Sequence, residues 1–290
     1  MLAQQLFNGL ILGSLYALLA VGYSLIVGIL KMITFAHGEV FMIGAFSGLL
    51  GLAVFPKNAF AALPAAAAGA AILGAITERT AFRPFRSGPE IAPALITIGF
   101  SIILQALVLL LAGADTKPFP IEADFGRWTV GGVIFSGLEL GIIGLVLILL
   151  LGLRIFISRT RWGLALRSTA AHYNAAQLMG IDTDAVVLAT FVLASGMAGV
   201  GGILFGAYYG AFYPLMGVVI SIKALAAATL GGIGNIGGAV IGALLLGIIE
   251  SLIVGYLSAN YRDVIAFAVL ILVLLIRPSG IFGRSLEEKV

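Results

Sequence analysis

Apolar residues in this chain run on in blocks of about twenty, separated by short polar clusters, instead of alternating or recurring along one face. The hydrocarbon core of a bilayer is about 30 Å thick, and a helix rising 1.5 Å per residue needs roughly 20 apolar residues to cross it. The blocks predict spans at residues 6–30, 32–55, 59–76, 91–112, 137–157, 185–205, 239–257 and 264–276, with a shorter apolar piece at 218–230. The expected fold is an all-α polytopic membrane protein, a bundle of eight to nine transmembrane segments with some helices broken or short. No Lys or Arg precedes Lys31, and the 6–30 run is too long for the apolar core of a cleaved leader. It reads as a retained first span.

The polar breaks set the orientation. One break, 78–90, carries Glu78, Arg79, Arg83, Arg86 and Glu90, with Pro84 and Pro89 stopping helices. Another, 154–184, opens with Arg154, Arg159, Arg161 and Arg167. A third, 115–128, is slightly acidic: Asp115, Glu122 and Asp124 stand against Lys117 and Arg127. The positive-inside rule sends the two Arg-rich breaks to the cytoplasm and the acidic one outside. The tail, with Arg277, Arg284 and Lys289, belongs inside too, which requires an even number of crossings after Asp184. The 218–230 piece must then count as a short or re-entrant crossing, giving nine segments with the N-terminus outside.

Composition sharpens this picture. Hydrophobic residues make up 61% of the chain and charged residues 10%, against about 25% charged in soluble proteins. The 290 residues suffice for a single transmembrane domain over 1–290, a bundle of eight or nine helices with short connections, and leave no room for an added soluble domain. Cys is absent, which excludes disulfides, thiolate metal sites and cysteine nucleophiles. His37 and His172 are the only imidazoles, too few for an expected zinc site. A net charge of +3 reports loop orientation and does not suggest nucleic-acid binding. Glycine stands at 39 residues, about 13% where 7% is usual. Stripes at Gly9, Gly13 and Ala17, at Gly202, Gly206 and Gly210, and at Gly234, Gly238 and Gly242 suit close helix packing in lipid.

Chemistry has to be sought where the apolar runs are interrupted. The 154–184 segment is too polar to span, Ala-rich enough for two short helices, and much longer than ordinary connections. It is suited either to fixing topology or to docking a soluble partner. No G-x-x-x-x-G-K-[ST] occurs, so the chain has no phosphate-binding loop of its own. His37, Gly38 and Glu39 fall within the second span. A charge at mid-helix costs about 2.5–3.5 kcal/mol on insertion scales, so such groups cap a broken helix or line a water-filled route. An Arg of another span is one partner open to Glu39. Lys223 and Glu250 either pair with each other or snorkel separately to an interface. The run Gly231, Gly232, Gly234, Asn235 to Gly238 reads as a break between helices, and Tyr208, Tyr209, Phe212 and Tyr213 as an aromatic belt at the outer interface.

Four stretches carry a resemblance. Asn174-Ala175-Ala176-Gln177-Leu178-Met179-Gly180 resembles the E-A-A-x-x-x-G coupling loop of ABC importers, with Asn174 in place of Glu and the later I-x-L-P element missing. TFAHGEVFMIGAF at 34–46, GGIGNIGGAVIGALLLGIIE at 231–250 and RPSGIFG at 277–283 look like signatures of the branched-chain amino acid ABC-transporter permease family. The resemblance spans essentially the whole chain and is similar to the shorter of the two permease subunits. It implies a related second permease subunit, two cytoplasmic ATPase subunits that carry ATP and Mg, a periplasmic substrate-binding protein, and a bacterial inner-membrane location. It also implies that this chain holds no cofactor. Coupling contacts are expected at Arg161, Gly163, Arg167, Asn174, Ala176 and Gly180 in a loop at about 158–184, with Gly163 and Gly180 ending short helices. Path-lining candidates are His37, Gly38, Glu39, Gly231, Gly232, Gly234 and Asn235.

Other readings stay open at this point. Within the family the solute is a branched-chain or related small neutral amino acid, or alternatively urea, a short amide or another small solute. A secondary transporter or channel would need a coupling-ion site or filter, which the sequence does not display. An intramembrane enzyme would need a paired constellation, whereas His37, Glu39 and Glu250 stand isolated.

Overall fold

The computed structural model describes residues 1–55, 61–86, 88–89, 91–120, 126–277 and 279–283. Glu90, Glu122, Asp124, Arg284 and Lys289, used above to orient the chain, lie outside the described residues, as do residues 59–60 of the third predicted span and Pro278.

Among the described residues the chain is helical apart from short connections. Its helices are α1 (Leu2–Leu30), α2 (His37–Val54), α3 (Ala62–Thr77), α4 (Ile91–Ala112), α5 (Gly137–Arg159), α6 (Arg161–Ala171), α7 (Tyr173–Leu178), α8 (Thr183–Tyr209), α9 (Met216–Gly231), α10 (Ile236–Tyr256) and α11 (Arg262–Ile276). α1, α2, α4, α5, α8 and α10 are long and apolar enough to cross a membrane. α3, α9 and α11 are shorter, with 16, 16 and 15 residues. The polytopic all-α expectation holds.

Small strands, which the hydrophobic blocks do not reveal, decorate one end. β1 (Lys117–Pro118) pairs antiparallel with β4 (Ala211–Phe212), and β2 (Arg127–Val130) with β3 (Val133–Ser136). Gly131 and Gly132 turn the second pair with positive φ at both positions, the requirement of a two-residue hairpin turn. Ser136 then starts α5 through a capping box with Glu139.

The order of helices contains an internal repeat of inverted direction, running α1–α4 and again α8–α11. In each half a long helix ends at a left-handed residue, Lys31 (φ 58) or Gly210 (φ 71). A non-helical stretch then turns back into the bundle, 32–36 in the first half and 211–215 in the second. A helix starts only after it, α2 at His37 and α9 at Met216. The third helix of each half packs on the long helix of the other. Gly9 and Gly13 of α1 lie against the backbone of Ile248 and Leu244 in α10, where an added Cβ would sit 2.6 Å from each Cα. In the second half, Gly199 of α8 lies against Ala66 and Ala70 of α3. Small residues permit this backbone approach, which matters because lipid gives apolar helices little reason to associate.

Depth follows from helix geometry. The His37 ring lies against Gly22, nine residues back from Lys31, or about 13 Å along α1 at 1.5 Å per residue. α2 therefore begins well inside the bundle. This corrects the expectation of a span starting at 32: the polar triplet 37–39 opens the helix and does not interrupt it.

Candidate functional site

The N-termini of α2 and α9 meet in the interior. Gly38 and Gly217 touch backbone to backbone, and Ser221 packs on Gly38 as well. Around this junction gathers a polar cluster from four helices. Tyr23 of α1 stacks edge-on against His37, with ring centroids 4.9 Å apart, and its hydroxyl bonds to that of Ser221. Glu39, in the first turn of α2, accepts at Oε1 from Ser101 Oγ and Gln105 Nε2 of α4, both at 2.5 Å. Glu39 Oε2 faces Gly217 and has no hydrogen-bond partner among the described residues, and His37 Nε2 has none among them either. Glu39 and His37 are each 2% exposed. A carboxylate at two helix N-termini is favoured by the partial positive charge of their free N–H groups, which offsets part of the cost of burial.

A second polar cluster lies between α1, α8, α9, α10 and α11. Lys223 Nζ contacts Glu250 Oε1 at 2.8 Å and Asp263 Oδ1 at 2.7 Å. Arg262 pairs with Glu250 and donates to the Tyr209 hydroxyl at 2.5 Å. Tyr16 donates to Glu250 at 3.0 Å. Two acids and two bases thus balance within one network.

The third region is the basic end of the bundle. α5 ends at Arg159, and Thr160 caps α6 by accepting from the Gly163 N–H at 3.0 Å. Gly163, Leu166 and Thr169 are buried at intervals of three, so α6 lies on the bundle by one face. Arg167 reaches back to the Ile157 carbonyl at 2.6 Å. After α7 the chain turns at Gly180 (φ 84), where the Ile181 N–H donates to the Ala176 carbonyl at 3.1 Å, a glycine helix end of the usual left-handed kind. Asp182 caps α8 through the Ala185 N–H. The turn leaves Leu178 and Met179 88% and 83% exposed. Beside it, a groove of about 280 Å³ lies between α6 and the start of α8, lined by Arg161, Trp162, Ile181 and Asp182 among others. Arg83 and Arg86 both grip Asp184, tying the 83–86 turn to the same helix start. Burial pushes the nearby Glu78 carboxyl up, against the pull of Arg83 and Arg86.

Residues 5–274 match the family described as branched-chain amino acid transport system / permease component. The chain belongs to this permease family. It is 41% identical to the high-affinity branched-chain amino acid transport system permease protein BraD of Pseudomonas aeruginosa, over 99% of this chain and 97% of that one. It is 42% identical to the corresponding permease protein LivH of Escherichia coli K12, again over 99% and 97%. Among solved structures, PsaBC from Streptococcus pneumoniae in complex with Fab superposes with a TM-score of 0.52 over 94% of this chain and 91% of that chain. At 14% identity that likeness concerns the fold alone.

On this permease the residues singled out from sequence fall in two separate places. His37, Gly38 and Glu39 form the inner junction. Gly231, Gly232, Gly234 and Asn235 form the turn between α9 and α10, at the far end of α9. Fourteen helical residues separate Gly217 from Gly231, about 21 Å. That turn is closed by the chain's own later segment: Ile281 and Phe282 N–H groups bond to Leu230 and Gly231, and Asn235 donates to the Phe282 carbonyl while capping α10. Arg161, Arg167, Asn174 and Gly180 are exposed, whereas Gly163 and Ala176 are buried.

Of the alternatives open for Glu39, the structure shows hydrogen bonding to Ser and Gln side chains and no Arg partner among the described residues, because α4 brings hydroxyl and amide groups to it. Three expectations need correction. Gly163 sits in the first turn of α6, where its missing side chain lets the helix rest on the Phe156 and Ile157 carbonyls, and it does not end a helix. Phe212 is not part of an exposed belt: it is fully buried between Phe46 and Phe119, because β4 turns inward. Gly210 and Gly234 are turn residues with positive φ and do not belong to packing stripes. The inverted repeat is hidden in the apolar blocks, because the block at 32–55 looks full-length and only the structure shortens it to 37–54, the counterpart of 216–231.

Proposed function

We propose that this chain is a transmembrane permease subunit of an ATP-binding-cassette importer for branched-chain or related neutral amino acids, embedded in the cytoplasmic membrane of a bacterium. The chain acts as one permease domain and performs no chemistry itself. It works beside a related second permease subunit, receives solute from a periplasmic binding protein, and is driven by two cytoplasmic ATPase subunits that hold ATP and Mg. Nine crossings carry it through the bilayer: α1, α2 with its re-entrant lead, α3, α4, α5, α8, α9 with its lead, α10 and α11. With the arginine-bearing end inside by charge bias, that odd number puts the N-terminus outside.

The observation that carries this reading is the α6–α7 hairpin. Two nearly bare apolar side chains, Leu178 and Met179, sit where α7 ends and turns towards α8, on the Arg-rich end, in a chain without a phosphate-binding loop. Large apolar side chains projecting outside the hydrocarbon mark a contact surface, and the arginines at 161 and 167 supply charge for acidic groups on the partner. Of the residues named from sequence, Arg161, Arg167, Asn174 and Gly180 form or border that surface, while Gly163 and Ala176 support it from within. The solute path runs past the α2–α9 junction, with His37, Gly38 and Glu39 near mid-depth and Gly231, Gly232, Gly234 and Asn235 at its inner end.

Proteoliposomes holding this permease, its partner permease and the ATPase pair are the test. Leucine should accumulate only with ATP inside and loaded binding protein outside. Leu178→Asp with Met179→Asp should release the ATPase pair while the permease remains inserted. Uptake that proceeds without ATP and collapses with an uncoupler would overturn the proposal in favour of secondary transport. Uptake displaced by short amides but not by valine would move the solute class.

A further inference from the structure

α4 and α11 close the two halves of the repeat, and both are loosely packed. Only 22% of the apolar stretch of α4 is buried, against 89% in α1. Among the described side chains of α11 none is buried. Lipid offers an apolar helix the same surroundings as another apolar helix does, so polar contacts must hold these two in place. For α11 they are Arg262 and Asp263, paired with Glu250 and Lys223.

For α4 the polar contacts form one seam. Thr97, Ser101 and Gln105 recur every four residues and share a face. Thr97 Oγ1 accepts from the Phe35 N–H at 3.1 Å, in the stretch leading to α2. Ser101 and Gln105 both donate to Glu39 Oε1, and Gln105 also donates to Ser101 at 3.1 Å. The opposite face, with Leu95, Ile102 and Leu110, is open.

A neutral acceptor would satisfy these two donors without burying a charge. A carboxylate makes such bonds roughly twice as strong, yet Glu39 uses only one of its oxygens. Oε2 is buried, lacks a partner among the described residues and points at the start of α9. Buried polar groups are nearly always satisfied, so a half-used one calls for an explanation. We propose that Glu39 is a positioning residue of the transport cycle: Oε1 latches α4 to the α2–α9 junction, and α4 shifts as a movable wall when that latch is exchanged. The uptake arm and the response to ATP rest on the permease reading; the effect of Glu39 on the α2–α4 distance without nucleotide does not.

The chain lacks Cys, so two introduced thiols report one distance. Spin labels at Leu50→Cys on α2 and Leu111→Cys on α4 occupy exposed positions on helices that run the same way. In the assembled complex the label distance should be single without nucleotide and should change with trapped ATP. Glu39→Leu should spread the distance in both states and lower the maximal uptake rate roughly ten-fold, with half-saturation by loaded binding protein unchanged. Glu39→Gln should keep the single distance, because its amide oxygen accepts the same two bonds. Where Glu39→Leu fails to assemble, Ser101→Ala with Gln105→Leu removes the latch from the other side and should give the same spread. An unaltered distance and nucleotide response in variants that fold would overturn the latch. A wild-type complex without ATP-driven uptake but with the Glu39-dependent distance would instead remove the permease reading alone.

Discussion

Gly38 and Gly217 each occupy the space where the other's side chain would begin: a Cβ on either would run into the carbonyl oxygen of its counterpart. Two half-helices can start face to face inside the bundle only because both lack that atom. Neither backbone has a positive φ, so glycine is required here for proximity, not for conformation.

Gly38→Ala or Gly217→Ala should therefore cost about 1–3 kcal/mol by overpacking, seen as a lower midpoint of thermal unfolding in detergent and poor yield. Gly99→Ala in α4 has nothing within 4 Å of the added atom. It should gain about 0.8–1 kcal/mol of helix propensity. Equal effects at Gly38 and Gly99 would contradict the packing.

The Lys223–Glu250 pair is 5% and 1% exposed. Glu250→Gln leaves two cations facing Asp263 alone and should destabilise by about 3–5 kcal/mol. Adding Lys223→Gln restores a neutral network of Arg262 and Asp263, and should recover most of that loss in the same unfolding assay. A double variant as unstable as the single one would show that the pair does not act as a unit.

Asp184 offers a contrast. Its partners Arg83 and Arg86 are 48% and 18% exposed, and Asp184 itself 38%. Solvent screens these pairs, so Asp184→Asn should cost only about 0–1 kcal/mol. A loss as large as that of Glu250→Gln would place this cluster in a far drier setting than its exposure indicates.

Orientation can be read with single thiols. Thr129→Cys, on the hairpin at one end, should react with an impermeant maleimide in intact cells. Asn174→Cys, at the apex of the other end, should react only after permeabilisation. Reversed labelling would invert the molecule and detach the α6–α7 hairpin from any cytoplasmic ATPase.

Apolar run length alone located most helices closely. The predicted 91–112 coincides with α4, and 218–230 lies within one or two residues of α9. The Arg-rich breaks likewise located α6 and α7, since a segment too polar to span must fold at an end. The junction was only partly legible: His37, Gly38 and Glu39 stood out as polar residues in an apolar run. Ser101 and Gln105 did not, because a hydroxyl and an amide in a span look incidental until a buried carboxylate is seen opposite them.

The sequence by itself determined that this chain is a membrane bundle, which end of it is basic, and where its helices break, because hydrocarbon thickness and charge bias act on each segment separately. Tertiary structure decided which breaks face each other. Gly38 on Gly217, Glu39 on α4 and Lys223 on Glu250 join residues 27 to 179 positions apart in the chain. Those partners are set by the inverted stacking of the two halves, and no periodicity within a single helix encodes it.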